Sequence, residues 1–263
     1  MTKKEDATAV ILAAGEGKRM RSDRAKVLHP IAGKALLDHV LAACAAAGLP
    51  RAVVVVGNRR EQVIEHLRTR PREGRLEVTW AVQDEQRGTG HALLCALPAI
   101  DQGGSPKEIV VLCGDAPLLR PRTLVDLLHV HRAGDAAATI LTAELEDPTG
   151  YGRVIRGEQG EVERIVEHRD ATRVELQVKE INSADYVFDL AAVRSALAEV
   201  TTANEQGEYY LTDTIAILKA RKRIVLAFRA DDAREVIGVN TVEQLAEAEA
   251  AFLALRTRGG EGP

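Results

Sequence analysis

At 263 residues the chain has room for one large α/β domain or two small ones. Hydrophobic residues make up 46% and charged residues 28%, with a formal net charge of −4, so a full core can form and nucleic-acid binding driven by bulk charge is excluded. Aromatics, at 3%, are too scarce for a base-stacking surface.

In chain order, the start MTKKEDATAV carries charge but no apolar stretch of signal-peptide length. Residues 7–14 (ATAVILAA) form an apolar run without polar alternation, as a strand buried on both faces requires. KALLDHVLAACAAAG follows, with Leu36, Leu37, Val40, Leu41 and Cys44 at helical spacing and Gly48 and Pro50 as its stop. A second buried strand covers 52–56, a polar helix 60–69, and a strand 76–83. A helix runs from His91 to Leu97, and a third buried strand, EIVVLCGD, covers 108–115. This alternation predicts a parallel sheet built from βαβ crossovers. YGRVIRGEQGEVERIVEH reads as a hairpin turning at Gly157–Gly160, and EINSADYVFDL as one more strand. Together they predict an α+β insertion beside the parallel sheet. The tail gives a helix at 208–221, a strand IVLAFRA, a closing helix from Thr241 to about Arg256, and a disordered RGGEGP. No run of about 18 apolar residues occurs, so no membrane span is expected. Cys44, Cys95 and Cys113 are far apart and form no CxxC pair, which predicts reduced thiols and a cytoplasmic location.

Three strings carry chemistry, each with a plainer alternative. Gly15 and Gly17 give G-x-G directly after the first strand, but position 20 is Met where a dinucleotide fingerprint needs a third glycine. Such a turn can instead bring backbone N–H groups to a polyphosphate, and Lys18, Arg19, Arg21, Arg24 and Lys26 follow at once. The alternative is a solvated basic loop. In VLCGDAPLL, Asp115 ends a central strand, where α/β folds bind ligands, and a carboxylate there suits Mg²⁺. Its plainer role is to start a turn. In QDEQRGTGHAL, Gly88-Thr89-Gly90 opens a helix whose free N–H groups could meet a phosphate or a base carbonyl, and Gln83 could read a base edge. Otherwise Thr89 simply caps the helix. The seven histidines show no metal-ligand spacing, and no covalent nucleophile is apparent.

LAAGEGKRM, AKVLHPIAGKALLDHV, QDEQRGTGHAL, GDAPLL, DPTGYGRVIR, IVEHRDAT, EIN, QGEYYLTD and GVNT occur in one order over roughly residues 7–250. In these strings the chain resembles the uridyltransferase half of the bifunctional bacterial enzymes that make UDP-N-acetylglucosamine, within the sugar-nucleotidyltransferase superfamily. The resemblance implies a Rossmann-like, mostly parallel mixed sheet flanked by helices, with a hairpin-containing sugar-binding part at about 142–213. It divides the chain into a nucleotidyltransferase domain, 1–240, and a C-terminal helix and tail, 241–263. The left-handed β-helix that follows in the typical member has no counterpart in these residues, so acetyltransferase activity is not expected and no oligomeric state follows.

Residue by residue, the resemblance assigns Leu12, Ala13, Ala14, Gly15, Arg19 and Lys26 to the nucleotide and its phosphates. Gln83, Gly88 and Thr89 go to the uracil, and Asp115 and Asn240 to Mg²⁺. Gly152, Glu167, Asn182, Tyr210 and Thr212 line the sugar phosphate, with Glu208 close by. Arg19, Lys26 and Asp115 form the implied catalytic set. The implied partners are UTP and N-acetylglucosamine 1-phosphate, with neither nucleic acid nor membrane. One departure touches the sugar site: Ser183-Ala184 stands after EIN where the family usually has Thr-Gly. The alternatives are a nucleotidyltransferase for another sugar 1-phosphate or triphosphate, a non-catalytic nucleotide-binding protein and, more remotely, a nicotinamide dehydrogenase.

Overall fold

The computed structural model describes residues 7–71 and 74–257; the RGGEGP tail lies outside them. The chain order is β1 (Ala7–Ala13), β2 (Pro30–Ile31), β3 (Lys34–Ala35), α1 (Leu36–Ala46), β4 (Arg51–Val56), α2 (Arg60–Thr69), β5 (Glu77–Val82), α3 (Thr89–Gln102) and β6 (Glu108–Cys113). Then come α4 (Pro121–Ala133), β7 (Ala138–Glu144), β8 (Gly152–Arg156), β9 (Val162–Val166), β10 (Glu180–Asp189), α5 (Leu190–Leu197), α6 (Asp213–Ala220), β11 (Val225–Arg229) and α7 (Val242–Thr257). Among the described residues no helix is long and apolar enough to cross a membrane.

The apolar runs become the sheet because both of its faces are covered. Along β1 and β4, Ala9, Ile11, Val54 and Val56 enter one buried cluster, while Val10, Val53 and Val55 enter the cluster on the opposite face. Alternate residues of one strand thus feed two cores, and no polar face is needed. The main path of the sheet is β11-β7-β10-β6-β1-β4-β5, and β1, β4, β5 and β6 pair in parallel as predicted.

Strand β10 departs from expectation. It does not lie beside the sheet; it is inserted between β6 and β7, antiparallel to both, and extends the hairpin β8–β9 from its edge. The reason is burial on both faces: Ile181 and Val187 join one core, Tyr186 and Phe188 the other. Two helix boundaries also differ. Helix α3 runs through Pro98 to Gln102, because Leu93, Ala96, Leu97 and Ile100 continue its buried stripe past the proline. Helix α6 begins at Asp213 rather than near 208, because the preceding backbone is engaged by the loop before α3.

A third, smaller core fixes the loop after β1. Met20, which stands where the dinucleotide glycine would be, is buried with Ile31, Leu36, Leu118, Val239 and Phe252 of α7. The methionine therefore anchors the loop to the closing helix.

Within β10 the pairing with β7 slips between Asn182 and Tyr186, and Ala184 takes φ +67° in that bulge. Asn182 Oδ1 accepts the Ala184 N–H at 3.2 Å, and Ser183 Oγ accepts the Asp185 N–H at 3.0 Å while donating to Leu141 O at 2.7 Å. A left-handed conformation costs a residue with a Cβ about 1 kcal/mol relative to glycine. Ala184→Gly is therefore expected to raise Tm by about 2–4 °C in calorimetric unfolding. A lowered Tm would mean that packing of the half-buried methyl outweighs the strain.

Candidate active site

The carboxyl ends of β1 and β6 lie side by side, with the Gly114 N–H donating to Leu12 O at 3.0 Å. From β1 the chain turns through Gly15 and Gly17. A Cβ on Gly15 would meet open space, so glycine there leaves the turn uncovered. Gly17 has φ +62°, and a Cβ on it would lie 2.8 Å from Lys26 Cβ. The second glycine is needed for close approach of the lysine. In front of these strand ends lies a cavity of about 450 Å³.

Of the residues singled out from the sequence, Leu12, Ala13, Ala14, Gly15, Lys26, Gln83, Gly88, Thr89, Asp115 and Glu208 line this cavity. Arg19 does not; it sits exposed on the single turn Lys18–Met20. Lys26 Nζ forms an ion pair with Asp115 and donates to Asn240 Oδ1 at 3.0 Å. Asn240 reaches this point through the start of α7. Gln244 Oε1 accepts the N–H groups of Asn240 and Thr241, and Thr241 Oγ1 accepts the Gln244 N–H, a reciprocal cap written in the sequence as TVEQ. Asp115 is further fixed by the Val239 N–H on its carbonyl at 2.9 Å, and a Cβ on Gly238 would stand 3.1 Å from its Oδ1.

Asp115 and Asn240 thus present a carboxylate and an amide oxygen to one cation. That is a hard donor set of the kind Mg²⁺ takes when water and phosphate complete its shell. Among the described residues no cluster of three or more His, Cys, Asp or Glu could cage a metal alone. A metal here would depend on its ligand's phosphates.

A second group forms beside the hairpin. A Cβ on Gly152 would meet Glu167 Oε2 and Asn182 Cβ, each at 3.5 Å, and Thr212 Oγ1 donates to Glu167 Oε1 at 3.1 Å. Burial raises the Glu167 pKa, opposed by the Thr212 hydrogen bond. Tyr210 is turned elsewhere: its hydroxyl donates to Asp170 at 3.2 Å and accepts from Gln206 at 2.8 Å, and burial pushes its pKa up to about 12. The structure therefore brings Gly152, Glu167, Asn182 and Thr212 together and leaves the Tyr210 hydroxyl on Asp170.

The loop before α3 corrects two expectations. The Gly90 N–H is not free; it donates to Tyr209 O at 2.8 Å. Nor does Thr89 cap the helix, since its Oγ1 accepts the Leu211 N–H at 3.1 Å. Cβ atoms on Gly88 and Gly90 would lie 2.6 and 2.9 Å from that same Tyr209 oxygen. These glycines let the 208–211 backbone press against the loop and join the two groups of residues.

Sequence reasoning passed over Asp185 and His91, and read Cys113 only as a reduced thiol. The Asp185 carboxyl is fully buried, accepts the Cys113 N–H at 2.8 Å through Oδ1, and leaves Oδ2 buried without a partner. Burial pushes its pKa up to about 7, with Asp115 adding repulsion. Cys113 is raised well above the ordinary thiol value, first by burial, so it is no nucleophile. No local pattern announces any of these; Asp185 in an apolar strand was the available signal.

A glycine turn, a paired lysine and two oxygen donors, one at a strand end and one at the turn into α7, define an α/β protein whose site suits a phosphorylated ligand and a cation. The chain belongs to the nucleotidyl transferase family, whose model matches residues 8–250. It is 46% identical over 246 residues to the bifunctional protein GlmU of Shouchella clausii, covering 93% of this chain and 52% of that protein. To the bifunctional protein GlmU of Mycolicibacterium vanbaalenii it is 49% identical over 250 residues, covering 94% and 50%. The chain thus spans about half the length of these relatives. A crystal structure of UDP-glucose pyrophosphorylase complexed with UDP-glucose shares the fold, with a TM-score of 0.78 at 19% identity, over 95% of this chain and 99% of that one.

Asp185 gives a test in pH. Its folded-state pKa is raised, so its contribution to stability is greatest below the unfolded value near 4 and is lost as pH rises toward about 7. Asp185→Asn keeps an acceptor for Cys113 and cannot ionise. The Tm of the variant minus that of the parent is expected to grow from pH 4 to pH 7 and then level off. A flat difference would mean that this carboxyl titrates alike in both states.

Proposed function

We propose that this chain transfers UMP from UTP to N-acetylglucosamine 1-phosphate, releasing pyrophosphate and UDP-N-acetylglucosamine. The observation that carries this reading is the cluster of Lys26, Asp115 and Asn240. Lys26 and Asp115 of this cluster line a cavity together with the Gly15 turn, Gln83, Gly88, Thr89 and Glu208, and the Glu208 charge acts on Glu167, which Thr212 bonds. The kinship with bifunctional GlmU proteins supports it.

In this reading a phosphate oxygen of the sugar 1-phosphate attacks the α-phosphorus of UTP in line. The bond from that phosphorus to the bridging oxygen of the β-phosphate breaks, and pyrophosphate leaves with the electron pair. No general base is required, because the attacking phosphate is already ionised near neutral pH. The task left to the protein is to align two anions and offset the charge that develops on the leaving group. Lys26 supplies fixed positive charge at the cavity wall, and Arg19, exposed on the turn that follows Gly17, would add charge on approach of the phosphates. Asp115 and Asn240 would hold Mg²⁺, which when bound polarises the phosphates and shields their charge.

Gly152, Glu167, Asn182 and Thr212 would receive the sugar phosphate, with Tyr210 and Glu208 along its border. Residues 142–213 thereby act as the sugar-binding part of a nucleotidyltransferase domain spanning 1–240. At the Ser183-Ala184 departure the Ser183 hydroxyl is bonded to Leu141 O within the bulge. A cytoplasmic setting, where both substrates are made, accords with three free cysteines.

A panel of nucleoside triphosphates against sugar 1-phosphates, scored by pyrophosphate release, tests the assignment. UTP with N-acetylglucosamine 1-phosphate is expected to give the highest kcat/KM, and a clear preference for another pair would overturn it. Asp115→Ala is expected to lower Mg²⁺-dependent turnover by about 100-fold or more. Its stability should fall by only about 1 kcal/mol, since the cavity is open and water can solvate Lys26. Lys26→Ala should likewise slow pyrophosphate release by about 100-fold. Undiminished turnover in either variant at saturating Mg²⁺ would remove that residue from the mechanism.

A further inference from the structure

Gln83 follows β5, its backbone N–H donating to Val56 O at 2.8 Å, and the residue is only 3% exposed. Its side-chain nitrogen Nε2 lies 3.1 Å from Gly88 O and 3.1 Å from His91 Nδ1. A carbonyl can only accept, so the nitrogen side of the amide must face the loop. Both amide hydrogens are then engaged, one by Gly88 and one by His91.

That arrangement requires His91 Nδ1 to be unprotonated. The ring proton therefore sits on Nε2, which faces Cys95 Sγ at 3.7 Å, one turn along α3. The Cys95 thiol, raised first by burial, stays protonated and offers its sulfur as a weak acceptor. The ring is also flanked by Tyr209, with centroids 6.3 Å apart, and the Arg87 guanidinium lies 5.1 Å from the centroid of the Tyr209 ring. The histidine is therefore held in place and in tautomer.

The amide oxygen of Gln83 remains for the cavity that the residue lines. We propose that His91 is a positioning residue that fixes the Gln83 amide with its oxygen toward the base, so that the site selects a pyrimidine bearing an N3–H donor over one bearing an N3 acceptor. Uracil offers that hydrogen. Cytosine offers a lone pair, which would face the Gln83 oxygen and leave both acceptors without a proton. The inference rests on the reading of this cavity as the site of the UTP base.

The test compares kcat/KM for UTP and CTP with one sugar 1-phosphate and Mg²⁺. His91→Phe and His91→Leu remove the acceptor while keeping an apolar side chain, and each is expected to lower the UTP-over-CTP ratio by about tenfold, the equivalent of one hydrogen bond. The change should appear mainly in the KM for UTP. His91→Asn, which restores an acceptor near the position of Nδ1, is expected to recover most of the ratio. If both apolar variants keep the parental ratio, or if His91→Asn loses as much as they do, the positioning role is overturned. Gln83→Met separates this from failure of the underlying reading. A ratio unchanged even in Gln83→Met would mean that the base does not bind at Gln83. A ratio lost in Gln83→Met but kept in the His91 variants would sink the positioning role alone.

Discussion

The site depends on one cation held between two oxygens. Lys26 comes from the loop after β1, Asp115 from the end of β6, and Asn240 from the turn into α7, so the cluster joins residues 89 and 214 positions apart. Each arrives by a different device. Close packing against Gly17 sets Lys26, the β6 end and the Val239 N–H set Asp115, and the Thr241–Gln244 cap sets Asn240. The cavity that Lys26 and Asp115 line is open to water, which moderates the attraction among them. The same positive charge that joins these segments is what a polyphosphate would seek.

Around that cluster the fold is arranged as two halves joined at a seam. The parallel half, β5-β4-β1-β6, carries the glycine turn and Gln83. The other half, where β10 enters antiparallel, carries Asn182 and, on the hairpin, Gly152. Backbone contact between residues 87–90 and 208–211 closes the seam, and only glycine at 88 and 90 permits it. Some stability is given up here. Ala184 holds a left-handed conformation, and Asp185 is buried with an oxygen unpartnered. Both lie in the bulge where β10 passes from the β6 side to the hairpin. Local strain beside ligand sites is a recurring feature of folded proteins, supported by the surrounding structure.

Much of this was legible in the sequence for a simple reason. A strand buried on both faces is a continuous apolar run, so β1, β4 and β6 announce themselves, and the residues just past their carboxyl ends, Gly15 and Asp115, are marked by position. The hairpin β8–β9 was legible from alternation about two glycines. The antiparallel insertion of β10 was not, since its apolar pattern fits either orientation and either place in the sheet. Strand β7 and helices α4 and α5 are absent from the elements read off the sequence, although Leu124, Leu127 and Leu128 of α4 and Val193, Ala196 and Leu197 of α5 stand at helical spacing and are buried. The resemblance in ordered strings pointed to a set of residues, most of which line one cavity or one adjoining group.

What the sequence determined by itself is the parallel core, a glycine turn that lacks the dinucleotide glycine, and the family to which these strings belong. Only the tertiary structure decided that Met20 anchors that turn, that Thr89 serves Leu211 and not its own helix, and that His91 orients toward Gln83. The division follows from range. Apolar periodicity and turn chemistry act within a few residues and can be read locally. A hydrogen bond between positions 89 and 211, or an ion pair between 26 and 115, exists only once packing has brought distant segments together.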